Sequence, residues 1–302
     1  MARKTRIKFA ICNEIFQGWP VAEIFEYAAR LGYGGVEIAP FTLADSVREV
    51  SPAKRREVRR AAEVAGIEII GLHWLLVKPE GLHISHPDPA IRRRTREYLQ
   101  ELIRFCADIG GTILSHGSPK QRTVQEGWNF EEARERARRT FEECLPTAEE
   151  RGITYCLEPL TRSNTNFINT VEEALGLIEE ISHPNFQMLV DCRSAQANEG
   201  SGAAAVRRAL SSGHLRHVHL NDVSGRGPGF GEVRFGPILQ ELIEGDYSGW
   251  ASVEVFEFDR DPRTIASRSI GYLRGLLETL EEKNLTTEST ERPEKKTINQ
   301  RT

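Results

Sequence analysis

ITYCLEPLTRSNTNFINTVEEALGLIEEISHPNFQMLVD, residues 153–191, holds one complete unit of the pattern that decides the fold. It opens with a short β-like run, ITYCLEP, crosses a polar loop and enters VEEALGLIEEI, where Thr170 stands as N-cap and Glu173 completes a capping-box pattern. A second β-like run, FQMLVD, closes it. Two strands joined through a helix lie parallel in one sheet, so the stretch reads as a βαβ unit.

The unit recurs along the chain. Eight β-like runs occur, at IKFAIC (7–12), GGVEI (34–38), IEIIGLH (67–73), GTILSHG (111–117), ITYCLEP (153–159), FQMLVD (186–191), LRHVHLN (215–221) and ASVEVFEF (251–258). Helix starts stand between them at Pro20, Ser51-Pro52, Asp88-Pro89, Asn129 and Thr170, and further helices fit 202–212, 236–245 and 262–281. Asn129 is expected to cap one continuous helix, FEEARERARRTFEECLPTAEERG. Eight alternations in a chain of 302 residues match a (β/α)₈ barrel. A doubly wound open sheet would carry a glycine fingerprint after its first strand, and CNEIFQGWP (12–20) has none. The barrel therefore spans 1–282 as a single α/β domain, and the polar stretch KNLTTESTERPEKKTINQRT (283–302) is expected to be a disordered tail.

Forty basic against 44 acidic residues give a net charge of −4, which offers no field for a phosphate backbone and argues against a nucleic-acid partner. Five cysteines, odd in number and without a CxxC, read as buried thiols in a reducing compartment. The basic start, MARKTRIKFAICNEIF, has too short an apolar run for a signal segment, and no stretch approaches a membrane span. A cytoplasmic protein without membrane contact is expected. The arginine cluster IRRRTRE (91–97) fits the solvated face of a helix.

In such a barrel the chemistry gathers at the C-terminal strand ends. Those ends carry Asn13, Glu14, Glu37, His73, His116, Glu158, Asp191, His219 and Glu254. In the last four strands the side-chain alternation points Glu158, Asp191, His219 and Glu254 into the barrel, with Ile, Leu, Val and Met mainly on the alternate positions. Three carboxylates packed together repel unless a cation sits among them, so these residues are expected to bind one divalent metal. Oxygen-rich ligands with one imidazole suit Mn²⁺, with Mg²⁺, Co²⁺ and Zn²⁺ also open. His217 lies one pleat deeper than His219 and is read as a supporting residue.

The segments LEPLTRSNTNFINTVEEAL (157–175), HPNFQMLVD (183–191), HVHLND (217–222), RGPGFGEVRF (226–235) and GWASVEVFEF (249–258) resemble the xylose isomerase-like TIM barrel superfamily. The similarity is strongest to its sugar phosphate isomerase/epimerase group, with ketose 3-epimerases, hydroxypyruvate isomerase and inosose dehydratase, and it covers residues 7 to about 281. The resemblance implies that Glu158, Asp191, His219 and Glu254 hold the metal and that Glu158 and Glu254 are the acid/base pair. It implies an isomerase or epimerase of a ketose, keto-acid or sugar phosphate, working through an enediolate. A dehydratase on the same barrel and a non-catalytic sugar-binding subunit are the alternatives, and self-association is common in the group.

Within that expectation Trp74 covers the apolar face of a sugar, while Asn13, His73 and His116 bond its hydroxyls. Lys120 and Arg226, in loops after the fourth and seventh strands, are positioned to meet a phosphate, a carboxylate or a hydroxyl. The turn PGFG (228–231) could add backbone amides. Two positions depart from the epimerase pattern. Ser194 stands three residues after Asp191, where a histidine is frequent, and Asn164 stands six after Glu158, where some epimerases have a carboxylate. An apurinic-endonuclease relative with three zinc ions would need more histidines than the chain's eight provide, as well as a basic face.

Overall fold

A computed structural model describes residues 5–258 and 260–290. Eight parallel strands close into a barrel in sequence order: β1 (Lys8–Cys12), β2 (Gly35–Ile38), β3 (Glu68–Leu72), β4 (Ile113–His116), β5 (Thr154–Leu157), β6 (Phe186–Asp191), β7 (Leu215–Leu220) and β8 (Trp250–Val253). Closure is made by β1 and β8, in register from Lys8 with Trp250 to Ile11 with Val253. The helical layer is α1 (Val21–Leu31), α2 (Pro52–Ala65), α3 (Pro89–Ile109), α4 (Phe130–Glu142), α5 (Leu145–Arg151), α6 (Val171–Ile181), α7 (Cys192–Glu199), α8 (Gly202–Ser211), α9 (Phe235–Glu244) and α10 (Pro262–Thr290).

Strand alternation sorts the residues. Ile11, Val36, Leu114, Tyr155, Met188, Val218 and Ala251 belong to the large core shared with the helices. Inside the barrel, Ala10, Ile70, Ile113, Cys156, Leu189 and Trp250 form a separate small apolar cluster. Gly35 makes room for it, since a Cβ there would come within 2.4 Å of Ile70 and 3.0 Å of Trp250. One pleat nearer the C-terminal ends the interior turns polar: Glu37, Ser115, His219 and Ser252 are all fully buried. The apolar floor therefore holds a polar layer at fixed height beneath the mouth.

Three boundaries differ from the sequence reading. The helix expected from Asn129 is two, α4 and α5, because Pro146 has no N–H and its ring would meet the Glu142 carbonyl in a continuous helix. The short α7 was not anticipated; it starts because Asp191 accepts a hydrogen bond from the Ser194 amide at 2.6 Å. The last helix continues through Thr290, as neither proline nor glycine interrupts the chain between Gly275 and Pro293. The remainder of the expected tail, 291–302, lies outside the described residues. Among the described residues no helix is long and apolar enough to cross a membrane.

Candidate active site

Glu158 follows β5, Asp191 ends β6, His219 lies in β7 and Glu254 follows β8. The parallel register brings a ligand atom from each within 4.8 Å of the others. All four are buried. Gly117 lets Glu158 in, because a Cβ there would stand 2.4 Å from its Oε2. Asn221 Nδ2 donates to Asp191 Oδ2 at 2.5 Å and to Glu254 Oε2 at 3.3 Å, fixing two carboxylates at once. His219 turns Nε2 to Glu37, 3.2 Å from Oε2. Its Nδ1 lies 3.1 Å from Glu254 Oε2 and 3.4 Å from Glu158 Oε1, yet has no hydrogen bond of proper geometry. With Glu37 holding the Nε2 proton, Nδ1 faces the carboxylates and is the nitrogen a metal would take once its proton is displaced.

Glu37 organises this layer from below. It accepts from Ser115 Oγ at 2.6 Å and lies 2.9 Å from His217 Nε2, while His217 Nδ1 faces the Trp250 carbonyl at 3.0 Å. Burial opposes its charge, but His217 and His219 hold Glu37 well below the usual carboxylate range. At the mouth the balance is reversed. Burial and the neighbouring carboxylates push Glu254 up to about 7, and burial with Glu158 raises Asp191. His219 is raised well above its ordinary value, because Glu254 and Glu37 outweigh burial. Protons thus do the work of a missing positive charge, and a dication in reach of the four ligand atoms would replace them. The donor set fits one such ion. Two further groupings, Cys12–Glu37–His219 and Cys12–Glu14–His73, fit less well, since burial and Glu37 keep the Cys12 thiol protonated.

Residues 25–276 match the description "Xylose isomerase-like TIM barrel". The chain belongs to that family. Among curated members it is 27% identical over 237 residues to a D-psicose 3-epimerase of Ruminiclostridium cellulolyticum, covering 76% of each chain. It is 26% identical over 263 residues to a probable ketose 3-epimerase of Synechocystis, covering 86% of this chain and 88% of the other. Its fold matches a solved L-ribulose 3-epimerase with a TM-score of 0.82 at 19% identity, over 95% of this chain and 100% of that one. A 3-keto-D-glucoside 4-epimerase from E. coli matches with 0.77 at 21% identity, over 90% and 100%.

On this xylose isomerase-like barrel, His73 and Trp74 line a narrow cleft of about 40 Å³ with Glu158, Asp191, Glu254 and Phe256. His73 Nε2 pairs with Glu14 Oε2 at 2.7 Å. Burial disfavours its charge, but Glu14 in particular lifts it to about 9. The other sequence-predicted residues do not line this cleft, although Asn13 borders the larger space beside it. His116 faces outward, because Ser115 takes the inward position of β4. Its ring packs at 5.2 Å on Phe141, Nδ1 shares a 2.6 Å hydrogen bond with the Tyr155 hydroxyl, and burial brings it down to about 3. It belongs to the helix layer and not to the site. Asn13 spends its amide on the next loop, donating to Thr42 Oγ1 at 2.8 Å and accepting from the Ala39 amide at 2.7 Å. Lys120 is exposed and Arg226 half-buried, and neither lines the cleft.

Sequence reasoning left out four residues with a part in the site. Glu37 stood at the second strand end but was not joined to the histidines, because its partners come from strands far apart in the chain. Asn221 had a signal, the same alternation as His217 and His219. Arg193 lines the cleft, its guanidinium 5.1 Å from the Phe256 ring centre, and had none. Arg122 is completely buried and donates to the carbonyls of Ile168 at 3.1 Å and His116 at 3.4 Å; burial lowers it to about 10 against the pull of Glu158.

Proposed function

We propose that the protein is a divalent-metal-dependent epimerase or isomerase of a keto-sugar, with Glu158, Asp191, His219 and Glu254 as the metal ligands and Glu158 and Glu254 as the proton carriers. The observation that carries this is His219 Nδ1, buried without a hydrogen-bonding partner and grouped with three buried carboxylates. The curated relatives are named as ketose 3-epimerases, which supports a carbohydrate substrate.

When bound, the dication would act as a Lewis acid that stabilises negative charge on the substrate's carbonyl oxygen; Mn²⁺ suits the oxygen-rich ligand set. The protein's own groups do the rest. β5 and β8 stand on either side of the β6–β7 pair, so Glu158 and Glu254 reach the centre from different directions. One takes the proton from the carbon next to the carbonyl and the other returns a proton to the opposite face, which inverts that carbon. Glu37 holds the His219 ring, Asn221 holds Asp191 and Glu254, and Trp74, Leu160 and Phe256 keep bulk water from the cleft. We place the enzyme in the cytoplasm, where its five buried, unpaired thiols stay reduced.

The test is proton exchange. In D₂O with Mn²⁺, NMR should show deuterium entering a keto-sugar at the carbon beside the carbonyl, with the epimer or isomer appearing at the same time. Formation of an ultraviolet-absorbing enone would reassign the site to a dehydratase, and no exchange with any keto-sugar would overturn the reading.

A further inference from the structure

Beside the narrow cleft lies a far larger cavity of about 910 Å³. Trp74 and Phe256 border both, with ring centres 6.0 Å apart, so the two spaces share one wall. The larger one is mainly apolar, and six of its eighteen lining residues are aromatic: Phe16, Trp19, Phe41, Trp74, Phe256 and Phe258. Phe41 and Phe258 are 37% and 42% exposed, and they are two of only five large hydrophobic side chains left exposed among the described residues. A free ketose, covered in hydroxyls, leaves such a surface unused.

The wall also carries polar atoms without partners. Glu14 Oε1 is buried and unpaired on a residue that lines the large cavity, and His73 Nδ1 is buried and unpaired on one that lines the cleft. The Glu14–His73 pair joins the two spaces. Trp74 Nε1, also buried and unpaired, sits on one of the two residues common to both, and that residue keeps a left-handed backbone at φ 52°. The residues that carry these three orphaned atoms stand where a polar cleft meets an apolar cavity, a boundary that fits a ligand whose polar part ends where an apolar part begins.

We infer that the substrate is a keto-sugar carrying an aromatic substituent, with the reacting carbons in the cleft, sugar hydroxyls or the linking oxygen at Glu14, His73 and Trp74, and the arene in the large cavity. This rests on the function proposed above and narrows its substrate class. Volume favours it, because the cleft at the ligands is too small for a whole sugar, whereas the neighbouring cavity matches the ~300–1,000 Å³ of sites for drug-sized ligands. The lining favours an aromatic group, since rings packed edge to face gain beyond area alone.

The experiment compares D-fructose with its 1-O-benzyl and 6-O-benzyl ethers in the Mn²⁺-supplemented exchange assay. It adds phenyl β-D-glucoside, which has no ketone, as a binding probe followed by tryptophan fluorescence. One benzyl ether should exceed D-fructose in kcat/KM by about tenfold or more, and the Phe41→Ser/Phe258→Ser variant should bring that ratio toward one. Both positions are partly exposed, so the variant should fold, which circular dichroism checks. Binding of phenyl glucoside without exchange of any keto-sugar would support the cavity assignment and overturn the chemistry instead. Exchange of D-fructose with no gain from either benzyl ether overturns the inference. So does a ratio unchanged in the variant while its self-association is lost, which would give the cavity to a second copy of the chain.

Discussion

Metal binding should release protons, in a number that depends on pH. In metal-free protein the proton on His219 is held by Glu254 and Glu37 against the effect of burial, and Glu254 is raised to about 7 by burial and the neighbouring carboxylates. A bound dication needs the imidazole neutral at Nδ1 and every carboxylate ionised. Binding therefore expels a proton from His219 and, as the pH falls through about 7, more and more of one from Glu254, so the count should be larger at pH 6 than at pH 8. The assay is isothermal titration of chelator-stripped protein with Mn²⁺ in buffers of different ionisation enthalpy, whose slope counts protons. Apparent affinity should rise with pH over the same range. In Glu254→Gln the proton carried by Glu254 is gone and His219 loses its strongest anionic partner, so the count should fall at every pH. A count of zero, or one that does not change with pH in the unaltered protein, would refute the electrostatic reasoning on which the site rests.

Glu158→Gln and Glu254→Gln each remove a ligand and a proton carrier, and each should lower the exchange rate by about 10²–10⁴-fold with the circular dichroism spectrum unchanged. Glu37→Gln leaves all four ligands in place but loosens the His219 ring, so Mn²⁺ affinity should fall about 10–100-fold by calorimetry. His116→Gln tests the outward placement. The native ring, at about 3 when folded against an ordinary 6.5, costs the fold nothing by titration above pH 6.5 and an increasing penalty below it, reaching about 5 kcal/mol as the pH nears 3. The variant should thus have a lower acid-unfolding midpoint while keeping its exchange activity, and loss of activity in a folded variant would return His116 to the site.

Much of this was legible because strands have period two. Alternation along VHLND and ASVEV aims His219 and Glu254 inward, and one ligand per strand at successive C-terminal ends needs no knowledge of loops. The same rule was available for β4, where inward Ser115 makes His116 outward, but His116 was read as a strand-end histidine without that check. Other features were hidden for a different reason. The Glu37 network joins residues 78 and 182 positions apart, and only barrel closure brings them together. The aromatic cavity draws on segments as distant as Phe16 and Phe258, whose apolar residues look individually like ordinary core. Local pattern specifies the elements, while partners set by closure appear only in three dimensions.

Height along the barrel axis shows why the ionisable groups at the mouth are not simply structural. The apolar cluster around Ile113 and Leu189 fills the floor, and the Glu37 layer above it is internally satisfied, with Ser115, His217 and His219 against a single carboxylate. A fully buried charge persists there because its partners are supplied. One pleat higher, among the described residues, Glu158, Asp191 and Glu254 share Asn221, one backbone amide, one imidazole and the attraction of Arg122 for Glu158, fewer partners per carboxylate than Glu37 has. If stability alone had shaped the interior, the balanced arrangement of the lower layer could have been repeated here. Leaving the rim short of positive charge costs the metal-free fold stability that a cation bound among these residues would restore.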